Sequence, residues 1–202
     1  IVQITDAHIG NIDGVREYFD SIIEISNSYN PDIVLLTGDL INIEAREADG
    51  TEGALNGFTA NIGKYAVLGN HDYGKYYRWD CAQDSIDNLE AVKNIYRNFD
   101  FDLLLNENRV LARGEDTLVV AGIENCGEEP FPCYGDMDAS LSGVEDNPVL
   151  LLSHDPSTWK SHVLQYENVL MTFSGHTHAA QMGIEVGDFK FSPAQFLYDE
   201  WD

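Results

Sequence analysis

Basic residues are scarce in this sequence. Eleven Lys and Arg face 35 Asp and Glu, a formal net charge of −24. Such a chain repels nucleic-acid phosphates and anionic membrane surfaces, which argues against a nucleic-acid partner. Long apolar runs are also missing. None reaches the roughly 18 residues that a membrane-spanning helix needs, so membrane contact is expected only through a segment this sequence does not contain. There is no initiator Met and no charged-then-apolar leader. The chain opens inside a strand-like run and stops after Tyr198 without a closing strand. It reads as one domain over residues 1–202, excised from a longer protein at both ends. Missing targeting signals therefore leave the parent's location open. Only three cysteines occur, so at least one is unpaired, and none lies near a His at zinc-finger spacing. Cys126 and Cys133 flank a Gly/Glu/Pro loop. They can close a small disulfide in an oxidising compartment or remain ordinary thiols.

What is present is enough for a full core. The 202 residues are 44% apolar and 11% aromatic, ordinary for a globular domain. The acidic excess has two readings. It suits a high-salt habitat, where self-repulsion is screened, or part of it faces bound cations.

Apolar runs alternate with helical patterns, which predicts a layered α/β domain. Ile1 to Thr5 reads as a buried strand. Asp13 is placed to cap a helix whose apolar face carries Val15, Phe19, Ile22 and Ile23 and which runs to about Tyr29, where Asn30-Pro31 ends it. Further strands are expected at 33–36, 65–68, 103–105, 109–113, 117–121, 149–152 and 169–173, and an antiparallel pair within 181–191. Helices are expected at 84–98 and 136–141, with shorter ones between Thr51 and Ile62 and near Val163 to Gln165. The aromatic loop Tyr73 to Trp79 reads either as a pocket wall or as packing for the loop itself.

One event recurs five times. A buried run stops, and polar residues follow at its C-terminal end: Asp6 and His8, then Asp39, then Asn70-His71-Asp72, then His154, then His176 and His178. In one α/β sheet such ends lie side by side and build a site. Together they offer two carboxylates, an amide and four imidazoles as ligands, and no thiolate. That set suits Mn, Fe, Zn, Co or Ni better than a Ca or Mg cage. Asp6 and His8 are two residues apart, as are His176 and His178, so each pair can divide between two adjacent ions.

Asp6-x-His8, Gly38-Asp39, Gly69-Asn70-His71-Asp72, His154 and Gly175-His176-Thr177-His178, complete and in order, resemble the five blocks of the calcineurin-like metallophosphoesterases. The resemblance implies a four-layer α/β/β/α sandwich of two mixed β-sheets flanked by helices, with a two-metal centre on the loops. It implies that Asp6, His8, Asp39 and His178 hold one divalent ion, Mn foremost. Asp39, Asn70, His154 and His176 hold the other, with Asp39 bridging. His71 is then the catalytic histidine, held by Asp72. The activity implied is hydrolysis of phosphate esters by water activated between two ions.

The flanking residues Tyr65 to Tyr73, Leu151 to Pro156 and Gln181 are similar to a bacterial branch. Its members often carry an N-terminal membrane segment, and some act on phospholipid-like or lipid-linked phosphate esters. Ala179-Ala180 departs from the two glycines usual there, which weakens inference about substrate. The expected substrate is a small or lipid phosphoester. The alternatives are a pyrophosphatase acting on a nucleotide-linked lipid, or a non-catalytic scaffold with this fold.

Overall fold

A computed structural model describes residues 1–12, 14–51, 55–127, 132–178, 184–186 and 189–191. The chain begins with strand β1 (Val2–Ile4), helix α1 (Val15–Ser28), β2 (Ile33–Leu36) and β3 (Gly63–Ala66). Helix α2 (Ala82–Asn98) leads to β4 (Asp102–Leu103). Strands β5 (Glu107–Arg113) and β6 (Asp116–Gly122), helix α3 (Met137–Ser140), β7 (Val149–Leu152) and β8 (Val169–Phe173) follow. A last hairpin pairs β9 (Ile184–Val186) with β10 (Phe189–Phe191).

The strands form two four-stranded sheets besides that hairpin. The first runs β1-β2-β3-β4 and is parallel throughout. The second runs β5-β6-β7-β8 and is mixed: β5 is antiparallel to β6, and β6, β7 and β8 are parallel. Both central strands with continuous apolar sequence, β2 and β7, are buried along their whole length. That is the expected state of parallel strands covered on both faces.

Three apolar cores separate four layers. Ile33, Leu35, Tyr65 and Val67 of the first sheet's side meet Leu104, Val120 and Leu152 between the sheets. The alternate residues of the same strands point the other way. Val34, Leu36, Ala66 and Leu68 pack with Phe19 of α1 and with Val92 and Tyr96 of α2. On the far side, Val119, Ala121, Val149 and Leu151 pack with Met137, Leu141 and Val163. Strand period two therefore divides each run between two cores. Each fully buried Leu or Val contributes about 1.5–3 kcal/mol by leaving water.

Among the described residues between Thr51 and Ile62 the expected α-helix is not formed, and they hold one 3-10 turn at Leu55–Gly57. Thr51 Oγ1 donates to Ala48 O at 2.7 Å, closing the turn before it instead of opening a helix. Thr59 N donates to Asn27 Oδ1, Asn61 N to Pro31 O and Ile62 N to Asp32 O, so those amides are spent on other segments. The turn near Val163 lies at Trp159–Val163, slightly earlier than expected. Gly14 occupies the N-cap of α1, and the expected cap Asp13 lies outside the described residues. Cys126 and Cys133 are joined in a disulfide. Among the described residues, no helix is long and apolar enough to cross a membrane.

Candidate metal and catalytic centre

The loops leaving β1 and β2 run side by side beyond the first sheet. Asp6 N donates to Gly38 O, His8 N to Asp39 O and Ile9 N to Leu40 O, all at 3.0–3.1 Å. The ends of β7 and β8 meet them from the second sheet, with Gly175 N donating to His154 O at 2.9 Å. Among the described residues eight non-glycine residues have positive φ, and five of them are Asp6, His8, Asp39, His176 and His178. A left-handed conformation at a residue with a Cβ costs on the order of 1–3 kcal/mol and persists only where surrounding bonds impose it. Here it swings each side chain off the strand line and into a common space. Gly38 (φ 97°) makes the approach possible, since a Cβ there would sit 2.5 Å from Gly69 N and 2.7 Å from His154 Nδ1.

Two groups of ligand atoms result, sharing Asp39. In the first, Asp6, His8, Asp39 and His178 bring one donor atom each within 4.8 Å of one another. His178 Nε2 lies 3.1 Å from Asp6 Oδ1 and 3.1 Å from His8 Nε2, and His8 Nε2 lies 3.7 Å from Asp39 Oδ2. In the second, Asp39, His154 and His176 converge in the same way. Asn70 Oδ1 joins them, 3.0 Å from His154 Nε2 and 2.8 Å from His176 Nδ1. The structure thus brings close together the residues that the resemblance assigned to each ion. Oxygen and imidazole nitrogen alone make up the set, facing inward at distances a cation would close, so these residues fit divalent metal of borderline hardness.

Neighbouring acceptors fix the rings. His154 Nδ1 donates to Thr37 O at 2.8 Å, and His8 Nδ1 donates to Asn42 Oδ1 at 3.0 Å. Asn42 Oδ1 also accepts from Asn11 Nδ2 and so has the acceptor role assigned. Each ring thus keeps a proton on the outer nitrogen and turns the inner one toward the ligand group, the usual device for a metal-binding histidine. Asp155 Oδ2 stands 3.5 Å from His176 Nε2 and sets a carboxylate beside the outer nitrogen of that ring. Burial holds His8 and His176 below the ordinary imidazole range. Burial opposes charge on His154 too, but the adjacent Asp39 carboxylate outweighs it and raises this imidazole to about 9.

His71 belongs to neither group. Its Nδ1 donates to Asn42 O at 2.8 Å. The expectation that Asp72 holds His71 is corrected. The Asp72 carboxylate turns inward and is fully buried. It accepts from the amides of Gly69 (2.8 Å), Asp39 (2.9 Å), Leu40 (3.1 Å) and Ile41 (3.3 Å), and from Tyr96 Oη (2.7 Å). Adjacent residues in a tight turn project in different directions, so chain neighbourhood did not make them partners. Burial and the nearby Asp39 charge push the Asp72 carboxyl up to about 6, against the pull of the Gly69 amide and the Tyr96 hydroxyl. Asp72 thereby fixes the loops that carry Asp39 and Asn70.

The aromatic loop divides its labour. Tyr73 is buried, donates to Glu124 Oε1 at 3.1 Å and packs on Tyr134. Trp79 Nε1 donates to Gly74 O. Tyr76 alone of the loop reaches the site. It lies against the His71 ring at 4.7 Å, and its Oη accepts from Asn70 Nδ2 at 2.7 Å. Sequence reasoning missed Asn42, Thr37, Tyr96 and Glu47, which gathers the amides of Asn42, Ile43 and Glu44. Two of these act through backbone carbonyls, which leave no mark in sequence. Ala179, Ala180 and Gln181 lie outside the described residues.

The chain is similar to several known proteins. A zebrafish (Danio rerio) "Transmembrane protein with metallophosphoesterase domain" is 28% identical over 189 residues, 90% of this chain and 40% of the relative. The chain therefore spans well under half of that relative's length. The "UDP-2,3-diacylglucosamine pyrophosphatase LpxG" of Chlamydia trachomatis is 26% identical, covering 91% of this chain and 64% of the relative. Among solved structures, the NAD nucleotidase NadN of Haemophilus influenzae superposes with a TM-score of 0.52 at 15% identity, over 87% of this chain and 38% of that one. The phosphopantetheinyl hydrolase PptH of Mycobacterium tuberculosis gives 0.51 at 13%, over 94% and 86%. These two likenesses concern the fold. The model of the calcineurin-like phosphoesterases matches residues 1–180, which contain every strand-end block, and the chain belongs to that family.

Proposed function

We propose that this domain is a metal-dependent hydrolase of phosphate ester bonds that works with two divalent ions, Mn foremost and Fe, Zn, Co or Ni as alternatives. The observation that carries the reading is the pair of ligand groups meeting at Asp39, with His71 beside them and in neither. Asp39 joins the two because its Oδ2 faces both His8 and His154, while its Oδ1 accepts from His71 N at 2.9 Å. Divalent cations held here would supply Lewis-acid chemistry, offsetting charge on a phosphoryl group and making water acidic enough to act as nucleophile.

The chain's own residues do the rest. Asn70 and His176 orient the second group, and Asp6 and His178 the first. His71, with Nδ1 tied to Asn42 O, presents Nε2 to the phosphoryl side and gives its proton to the departing oxygen. Tyr76 shields one face of that ring. The substrate class is a small or lipid-linked phosphoester, and the net charge of −24 speaks against nucleic acid.

The first test is metal analysis of protein purified without chelator, then a phosphoester panel with the metal found. Hydrolysis that disappears on chelation and returns with Mn supports the reading. Protein that binds two ions yet cleaves no ester would leave a scaffold. A second reading, a pyrophosphatase on a nucleotide-linked lipid, is favoured by the printed activity of the Chlamydia relative. Including a nucleoside diphosphate–lipid in the panel separates the two.

A further inference from the structure

We infer that Cys126, Cys133 and His162 form a second metal site, for a single soft cation such as Zn, which opens when the disulfide is reduced. The three residues offer ligand atoms within 4.8 Å of one another. His162 Nε2 already lies 3.5 Å from Cys126 Sγ, although the two are 36 positions apart in the chain. The site shares no residue with the strand-end centre.

The scaffold around it is fixed without the sulfur–sulfur bond. Cys126 and Cys133 face each other in an antiparallel bridge, and Tyr134 N donates to Asn125 O at 2.8 Å. Val163, next to His162, is buried in the core beneath the second sheet. Cutting the disulfide therefore leaves two thiols and an imidazole close together. Two thiolates and one imidazole are the soft, borderline set that selects Zn, and they leave a fourth position for water. That position has room, since a cavity of about 400 Å³ is lined by Cys133, His162, Asp136, Asp138 and Tyr166. Its two carboxylates favour a cation. Cys126 is buried, whereas Cys133 and His162 are exposed, so a small reductant reaches the pair.

The chemistry balances. Two equivalents of a low-molecular-weight thiol supply two electrons and two protons, giving two cysteine thiols and one external disulfide. The divalent cation then displaces both thiol protons. The loop that these cysteines close is thus tied either covalently or by metal, according to the redox state. Tyr134, directly after Cys133, packs on Tyr73 of the loop that carries Tyr76, so the tie borders the wall of the main centre.

Cadmium is the probe, because thiolate-to-cadmium charge transfer absorbs in the ultraviolet and the oxygen–nitrogen centre cannot produce it. A Cys81→Ser background removes the one other thiol, which is exposed. After reduction, titration is expected to give the band at one equivalent per monomer, with two titratable thiols lost per ion. The oxidised protein should give none. His162→Ala should keep the band and weaken cadmium affinity by at least the roughly 10–100-fold that losing even an outer partner costs. Cys133→Ser should remove it. Far-ultraviolet circular dichroism of each reduced variant checks that the fold survives. No band in folded, reduced protein would overturn the inference, as would an affinity indifferent to His162→Ala or an ion that bridges two chains.

Discussion

The two sheets contribute unlike chemistry to one centre. The ends of β1, β2 and β3 bring the carboxylates of Asp6 and Asp39, the amide of Asn70, and the imidazoles of His8 and His71. To the two ligand groups the ends of β7 and β8 bring imidazoles, those of His154, His176 and His178, with the Asp155 carboxylate standing behind His176. Neither side alone holds a complete ligand group. Each group draws from both, so a cation held there would lie on the seam between the sheets. The sheets themselves are registered elsewhere, by the apolar core of Leu35, Val67, Leu104 and Leu152.

The largest effect is expected where both sides converge. Asp39→Ala should empty both groups and reduce hydrolysis to background, read by metal analysis and turnover together; two ions retained would show that the seam does not need its shared carboxylate. His71→Ala comes next. It should keep its metal and lose roughly 10²–10⁴-fold in rate, the range for acid–base catalysis. Unchanged turnover of a substrate with a poor leaving group would remove His71 from proton transfer.

Removing the metal tests the seam itself. At metal concentrations near 100 times the dissociation constant, chelation should cost about 2.7 kcal/mol per ion, or about 10–20 °C in Tm for a two-ion centre in a domain of this size. A single cooperative transition should persist, because the core between the sheets is untouched. The apo centre should also bind metal more tightly as pH rises. His154 is raised to about 9, so below that pH a cation must displace its proton. Affinity should climb by about tenfold per pH unit through that range, and flatten above it. A pH-independent affinity from 7 to 9 would contradict the coupling of His154 to Asp39. The smallest effect belongs to the mouth of the site. Tyr76→Phe removes one acceptor from Asn70 and should change kcat/KM by about 2–10-fold, with metal content unchanged.

Much of the site was legible because its residue types are so restricted. Asp and His placed directly after buried runs have few reasons to be there except to point at something. The strands at 149–152 and 169–173 were legible for the same reason, as short apolar runs with sharp polar ends. What stayed hidden depends on direction or on three-dimensional neighbourhood. Asp72 follows His71 in the chain but faces four backbone amides instead. Asn42 and Thr37 hold histidines through carbonyls that every residue possesses. The stretch after Thr51 looked helical because local pattern cannot reveal that its amides are needed by Asn27, Pro31 and Asp32. His162 shows no relation to Cys126 until the chain has folded.

The inward carboxylate of Asp72 has a consequence for how the molecule breathes. Its five donors come from the loop after β2, the loop after β3 and helix α2. None of the four amides can reach solvent deuterium unless that carboxylate lets go, and letting go strands a buried charge. Loop amides usually exchange quickly. Those of Asp39, Leu40, Ile41 and Gly69 should instead exchange as slowly as the strands, through global opening alone, and Tyr96→Phe should quicken them first.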